Sequence, residues 1–146
     1  MADQSSSPGR PNQPPNTVAA PIAAEALPAG SPVYVSGMNE VSLAQADALP
    51  EALVIGVVPY AIEVDERAPI QKGGSLELPA EQWDALTGDD GGLTPADIYY
   101  LSDATAGMIT TTPPSTTNHY QTIYGVALSP TDMYIIAGTP VKNLGV

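Results

Sequence analysis

Proline and glycine interrupt this sequence so often that long helices have little room. Sixteen prolines and thirteen glycines stand among its 146 residues. Proline removes a backbone donor and crowds the preceding turn, while glycine loses the most conformational freedom on ordering, so both act as stops. What lies between them is β-branched or aromatic. From Gly91 to Ile136 the runs are IYYLS (98–102), MITTT (108–112), YQTIYGVAL (120–128) and DMYII (132–136), each bounded by Gly, Pro, Asp or Ser. A chain cut in this way predicts an all-β fold, a compact sandwich or small barrel of short antiparallel strands.

The length suits one domain, and an apolar fraction of 43% is enough for a single core. No cysteine is present, so disulfides and thiolate metal sites are excluded and packing must supply the stability. Arg10, Arg67, Lys72 and Lys142 are the only basic residues against 16 acidic ones, a formal net charge of -12. Phosphate backbones and anionic bilayers call for clustered Lys and Arg, so neither nucleic acid nor membrane is an expected partner. The longest apolar run, residues 52–62, contains Pro59 and is too short to span a bilayer. The earlier stretch VAAPIAAEAL is broken by Pro21 and Glu25 and does not read as a secretory signal.

Residues 1–28 read as an extended, Pro-rich N-terminal arm ahead of a β-domain at 29–146. The arm has two readings: a disordered tail, or a strap that orders against a neighbouring subunit, since proline lowers the entropy cost of docking an extended segment. As a strap it would make contact through Pro11, Pro14, Pro15, Val18, Pro21 and Ile22.

Within the domain, residues 31–37 and 40–46 predict a hairpin, with Val41 and Leu43 on one face. Residues 53–64 form a continuous apolar run that predicts a strand covered on both faces. In that run Gly56 marks a bulge or a close backbone approach, and Pro59 a bend or an edge. Residues 67–79 read as strand, Gly73-Gly74 turn, strand. The best helical segment is 80–86, after Pro79, with Trp83 and Leu86 on one face. Trp83 is expected to plug one end of the sandwich or barrel; stacking on a ligand is the lesser reading.

Two segments echo one another. LPAGSPVYVS (27–36) followed by VIGVV (54–58) parallels LTPADIYYLS (93–102) followed by IYGVA (123–127). The expectation is two pseudo-repeated β-units, 27–58 and 93–127, linked by the hairpin and short helix of 67–86.

No catalytic constellation is legible. His119 is the one histidine and sits in a polar loop, Ser102 and Asp103 have no base beside them in sequence, and nucleophile-elbow, zinc-binding and phosphate-cradling motifs are absent. Asp89 and Asp90 lie on a glycine loop but lack the spaced carboxylates of a calcium loop. No enzyme activity, cofactor or metal is expected.

The run Gln82–Ile135 resembles a structural module of tailed-bacteriophage virions. The pattern is a GGLTPG turn, a YYLS strand, a G-x-(I/L)-T-T strand with a Pro-Pro turn, and a closing VG-x-A-(L/V)-S-x-T strand pair. Here it is carried by Gly91, Gly92, Leu93, Thr94, Pro95, Tyr99, Tyr100, Leu101, Ser102, Gly107, Ile109, Thr110, Pro113, Pro114, Gly125, Ala127, Leu128, Ser129 and Thr131. The chain departs from it at Asp97 and Tyr124. The resemblance implies a capsid decoration (cement) protein on the outer capsid surface of a virion, with the major capsid protein and further copies of itself, as a homotrimer, for partners. A tail or head fibre or receptor-binding subunit is the alternative. In the decoration reading the trimer forms through Tyr- and Val-bearing strands, which makes Tyr34, Tyr99, Tyr100, Tyr124 and Tyr134 contact candidates.

Overall fold

A computed structural model describes residues 20–145 and shows eleven short strands and one helix among them. The chain enters at β1 (Ile22–Ala23), parallel to β3 (Glu40–Leu43). Residues 65–68 hold its other side: Ala23 N donates to Glu66 O at 2.8 Å, and Ala68 N to Pro21 O at 2.8 Å. Ala23 and Leu27 are buried. Residues 20–28 thus belong to the body of the fold, which corrects an arm ending at residue 28. The Ala- and Pro-rich composition conceals this, because the stabilising groups are backbone donors and acceptors satisfied by a distant segment. Pro11, Pro14, Pro15 and Val18 lie outside the described residues.

The first hairpin forms as its alternation predicts. β2 (Pro32–Gly37) pairs antiparallel with β3, turning through Asn39 at φ 55°, a residue type that tolerates the left-handed region. On its other edge β2 meets β4 (Gly56–Val57), giving the sheet order β1-β3-β2-β4.

Two strand expectations need correction. The run 53–64 yields only the two-residue β4, with Leu53, Tyr60 and Val64 each about half exposed. Proline at 59 cannot donate to a ladder, and the chain bends there before Ile62 bridges Leu27. Gly56 is a point of close approach: a Cβ there would stand 2.5 Å from Ile70 Cγ2 and 2.6 Å from Gln71 O. The segment 67–79 is not a hairpin either. Arg67 and Gln71 bridge Ile22 and Val57, while β5 (Gly74–Glu77) leaves to join another sheet, where long-range partners outcompete the local glycine turn.

That sheet has the order β5-β10-β9-β6-β7, with β6 at Ile98–Leu101, β7 at Ile109–Thr110, β9 at Ile123–Ala127 and β10 at Asp132–Ile135, antiparallel throughout. The predicted single strand 120–128 is divided. Its first part, β8 (Tyr120–Gln121), pairs instead with β11 (Val141–Lys142). Thr122 is buried at the break and its hydroxyl donates to Ala52 O at 3.0 Å. The several antiparallel sheets include one curled into a half-barrel.

The helix α1 (Ala80–Thr87) starts after Pro79 and ends at Gly88, whose φ of 79° allows its N–H to return to Asp84 O at 2.8 Å. It buries Trp83 and Leu86 against Leu76, Leu78, Leu93, Tyr99, Ile109, Met133 and Ile135. Trp83 is fully buried, meets Tyr124 edge-on at 6.4 Å, and donates from its indole to Thr131 O at 2.8 Å. No ring face is left for a ligand.

The two echoing segments share topology and register. Each has a central strand, β2 or β6, flanked antiparallel by the next strand and by a Gly-Val strand. Pro32 opposes Val57 and Val33 opposes Gly56; in the second unit Ile98 opposes Val126 and Tyr99 opposes Gly125. The entering turns match as well. Gly30 N donates to Val58 O at 2.7 Å and Ala96 N to Ala127 O at 2.8 Å, with φ of 82° and 72°. Val58 N returns to Ser31 O and Ala127 N to Asp97 O, at 3.1 and 3.0 Å.

Candidate functional site

Side-chain alternation sends Leu76, Met133, Ile135, Tyr99 and Leu101 into the core from the five-stranded sheet. The opposite face carries an apolar row. Ser75 opposes Tyr134, Tyr134 opposes Val126, and Val126 opposes Ile98, so one line of side chains crosses β5, β10, β9 and β6. Tyr134 is 50% exposed, Ile98 42%, and their same-face neighbours Leu128 and Ile136 are 56% and 42% exposed. A solvated face of an antiparallel sheet ordinarily alternates to polar residues, so the apolar row across β10, β9 and β6, ending at Ser75 on β5, is an exposed apolar patch.

The tyrosine candidates separate on this geometry. Tyr134 lies in the row, between Ser75 and Val126, and Tyr100 and Tyr34 are half-buried. Tyr99 and Tyr124 are corrected: both are core residues, 2% and 1% exposed. Tyr99 faces inward on β6 and its phenol oxygen accepts from Thr94 N at 2.9 Å. Tyr124 occupies the irregularity where the β6–β9 register shifts, is turned into the core there, and donates to Gly30 O at 2.6 Å. Burial holds its phenol far above the ordinary tyrosine range. Tyr34 is also raised, first by desolvation and then by Glu51, Glu25 and Asp47. Pro21 and Ile22 are half-buried at β1, Ile22 between β3 and Arg67.

The polar loops hold structural pairs. His119 Nδ1 lies 2.8 Å from Asp103 Oδ2, within hydrogen-bond distance, and the contact ties the turn after β6 to the loop before β8. Asp103 O also accepts from the Gln45 amide at 3.0 Å. Ser102 Oγ accepts from Ala104 N and Thr105 N, capping the same turn. In the glycine loop, Asp89 and Asp90 are exposed, and the organising carboxylate is Asp84, which accepts from Gly92 N at 2.8 Å and Gly91 N at 3.2 Å. Its position at the end of a helical segment, seven residues before Gly91, is the signal that sequence reading passed over. No group of three or more His, Cys, Asp or Glu able to hold a metal occurs among the described residues, and no helix there is long and apolar enough to cross a membrane.

The acidic side chains border the apolar row at one end. Glu77 on β5 and Asp132 on β10 stand directly opposite one another on the outward face. Like charges in that position repel, and no basic side chain lies within ion-pair distance of either among the described residues. No protein-family model matches the chain, and no curated protein matches it.

Proposed function

We propose that this chain is a non-enzymatic decoration (cement) protein of a tailed-phage capsid, bound to the outer shell where major capsid proteins meet. The observation that carries the reading is the outward apolar row of Ile98, Val126 and Tyr134, because it lies on strands from the segment Gln82–Ile135 that resembles the virion module. A rigid sheet with an apolar face and a pair of unneutralised carboxylates is suited to adhesion. The His119, Ser102 and Asp84 side chains bond to the turns around them, which supports a structural task for those loops.

The mechanism is linkage. A protein that binds the mature shell and not its precursor stabilises the mature state by mass action, and association as a homotrimer multiplies a weak contact through effective concentration. Nucleic acid and bilayer surfaces, both anionic, are unsuited to a chain of net charge -12.

Electron cryo-microscopy of virions tests the location: density for the chain on the shell is the expected result, and density at the tail tip sinks the decoration reading in favour of a fibre subunit. Heating virions with and without the protein tests the role. DNA release at a lower temperature without it is expected, whereas a change confined to host adsorption points to the fibre subunit.

A further inference from the structure

A hollow of about 340 Å³ lies where β5 runs into the helix, lined by Glu77, Leu78, Pro79 and Thr131. Of these, Glu77 stands opposite Asp132 on the face of the apolar row, and Leu78 belongs to the core. Glu77 brings a carboxylate, and Leu78 and Pro79 bring hydrocarbon. An aliphatic stem ending in a cation fits this lining, since Lys and Arg lay their methylenes on apolar surface while the head meets an acid. The head would also relieve the repulsion between Glu77 and Asp132, which have no counter-ion among the described residues.

We propose that this face docks a protein surface whose apolar strip covers Tyr134, Val126 and Ile98 and whose Lys or Arg enters the hollow at Glu77. This rests on the adhesive reading of the sheet above and names its partner's chemistry. Charge selects the occupant. A second copy would bring Glu77, Asp132 and the exposed Asp97 against like charges, in a chain with 16 acidic and 4 basic residues. The chain's own residues 1–19 offer only Met1 and Val18 as large apolar side chains, too little to cover the row. A partner with an apolar centre and a basic rim satisfies both the row and the carboxylates.

The test uses the full chain and two short blocked peptides of alternating residues, valine with lysine and valine with glutamate, followed by backbone NMR. The lysine peptide is expected to shift the resonances of Ile98, Val126, Tyr134 and Glu77, and to bind about tenfold more tightly than the glutamate peptide at low salt. Equal binding of the two peptides, or shifts on another surface, overturns the proposal. Tyr134→Asp and, separately, Leu128→Asp should abolish the shifts, with circular dichroism confirming that each variant is folded. Glu77→Lys should remove only the preference for lysine. If sedimentation shows that the wild-type chain self-associates and Tyr134→Asp dissociates it, a second copy covers the face and the proposal falls.

Purified mature capsids stripped of this protein provide the arm that separates the two readings. Failure of the wild-type chain to attach, with the lysine peptide still landing on the row, removes the capsid reading and keeps the face. Attachment of Tyr134→Asp and Glu77→Lys as strong as that of the wild type removes the face and keeps the capsid reading.

Discussion

The unit at 27–58 and the unit at 93–127 run the same hydrogen-bond pattern with different surroundings. In the first, Val33 is buried and Val35 is 51% exposed, and the Gly-Val strand stops after two residues at Pro59. In the second, Tyr99 and Leu101 are both buried, and the Gly-Val strand continues into β10 and through it to β5. The helix is added to the second unit alone, where Trp83 fills the centre of the largest cluster. Register is therefore set by the strand triplet itself. What the neighbouring chain supplies decides whether that triplet becomes a small edge sheet or the base of a core with an apolar outer face.

The units meet where the first one's turn touches the second one's core. Gly30 O accepts the Tyr124 hydroxyl, and a Cβ at Gly30 would stand 2.8 Å from Leu86 Cδ1 and 3.0 Å from Leu78 Cδ1. Residues 44–46 connect them again, with Ala46 N donating to Ser102 O at 2.9 Å and Tyr120 N to Ala46 O at 2.8 Å. Unfolding of one unit should expose the other.

The largest effect is expected from the helix that only one unit possesses. Trp83→Ala removes a fully buried indole and its bond to Thr131 O, and should destabilise the chain by about 4 kcal/mol in urea unfolding. A single cooperative transition at lower urea supports coupling of the units. Two transitions would break it.

Next come the equivalent glycines. Gly56→Ala places a Cβ against Gln71 O at a φ of 152°, and Gly125→Ala places one against Tyr134 O. Each is expected to cost about 3 kcal/mol, read from the urea midpoint, because backbone cannot move aside as a side-chain end can. A loss confined to one of them would show that the shared register does not impose a shared constraint.

The matched turns offer a smaller and sharper test, since Gly30 and Ala96 hold the same left-handed conformation with different residues. Ala96→Gly should stabilise by about 0.5–1 kcal/mol, and Gly30→Ala should destabilise by at least that much through strain and contact with Leu86, both measured by thermal unfolding. Equal signs would separate the two turns.

The smallest effect at neutral pH belongs to Tyr124→Phe, which loses one buried hydrogen bond and should cost about 1 kcal/mol. Its signature lies in alkali. The folded value is raised above the ordinary 10.0, so the native state keeps a proton that the unfolded chain releases. The stabilisation is whole below pH about 10 and declines as pH rises beyond it. Stability measured from pH 8 upward should fall less steeply above that point in the phenylalanine variant.

Much of the fold was legible because it rests on local chemistry. The first hairpin follows from alternation at Val33, Val35 and Val41, the helix from Pro79 with Trp83 and Leu86, and the close approach at Gly56 from a glycine inside an apolar run. The echo of Tyr-bearing and Gly-Val segments was visible as spacing. Its matched register emerges only from pairs such as Val33 with Gly56 and Tyr99 with Gly125. The failures have two causes. The run 53–64 was cut short by its own Pro59, whereas the strand 120–128 and the 67–79 hairpin were divided or redirected by partners distant in sequence, as β5 was by β10.

The exposed apolar row was legible least. Tyr99 and Tyr134 have similar sequence surroundings, yet one is sealed in the core and the other stands in the outward row. Sequence by itself determined that this chain would make short strands and tight turns with a strongly acidic surface, because proline, glycine and charge act through the residue that bears them. Only the tertiary structure decided which tyrosines face water and that Glu77 meets Asp132. Pairing register and sheet face are properties of two strands at once, and neither strand carries them alone.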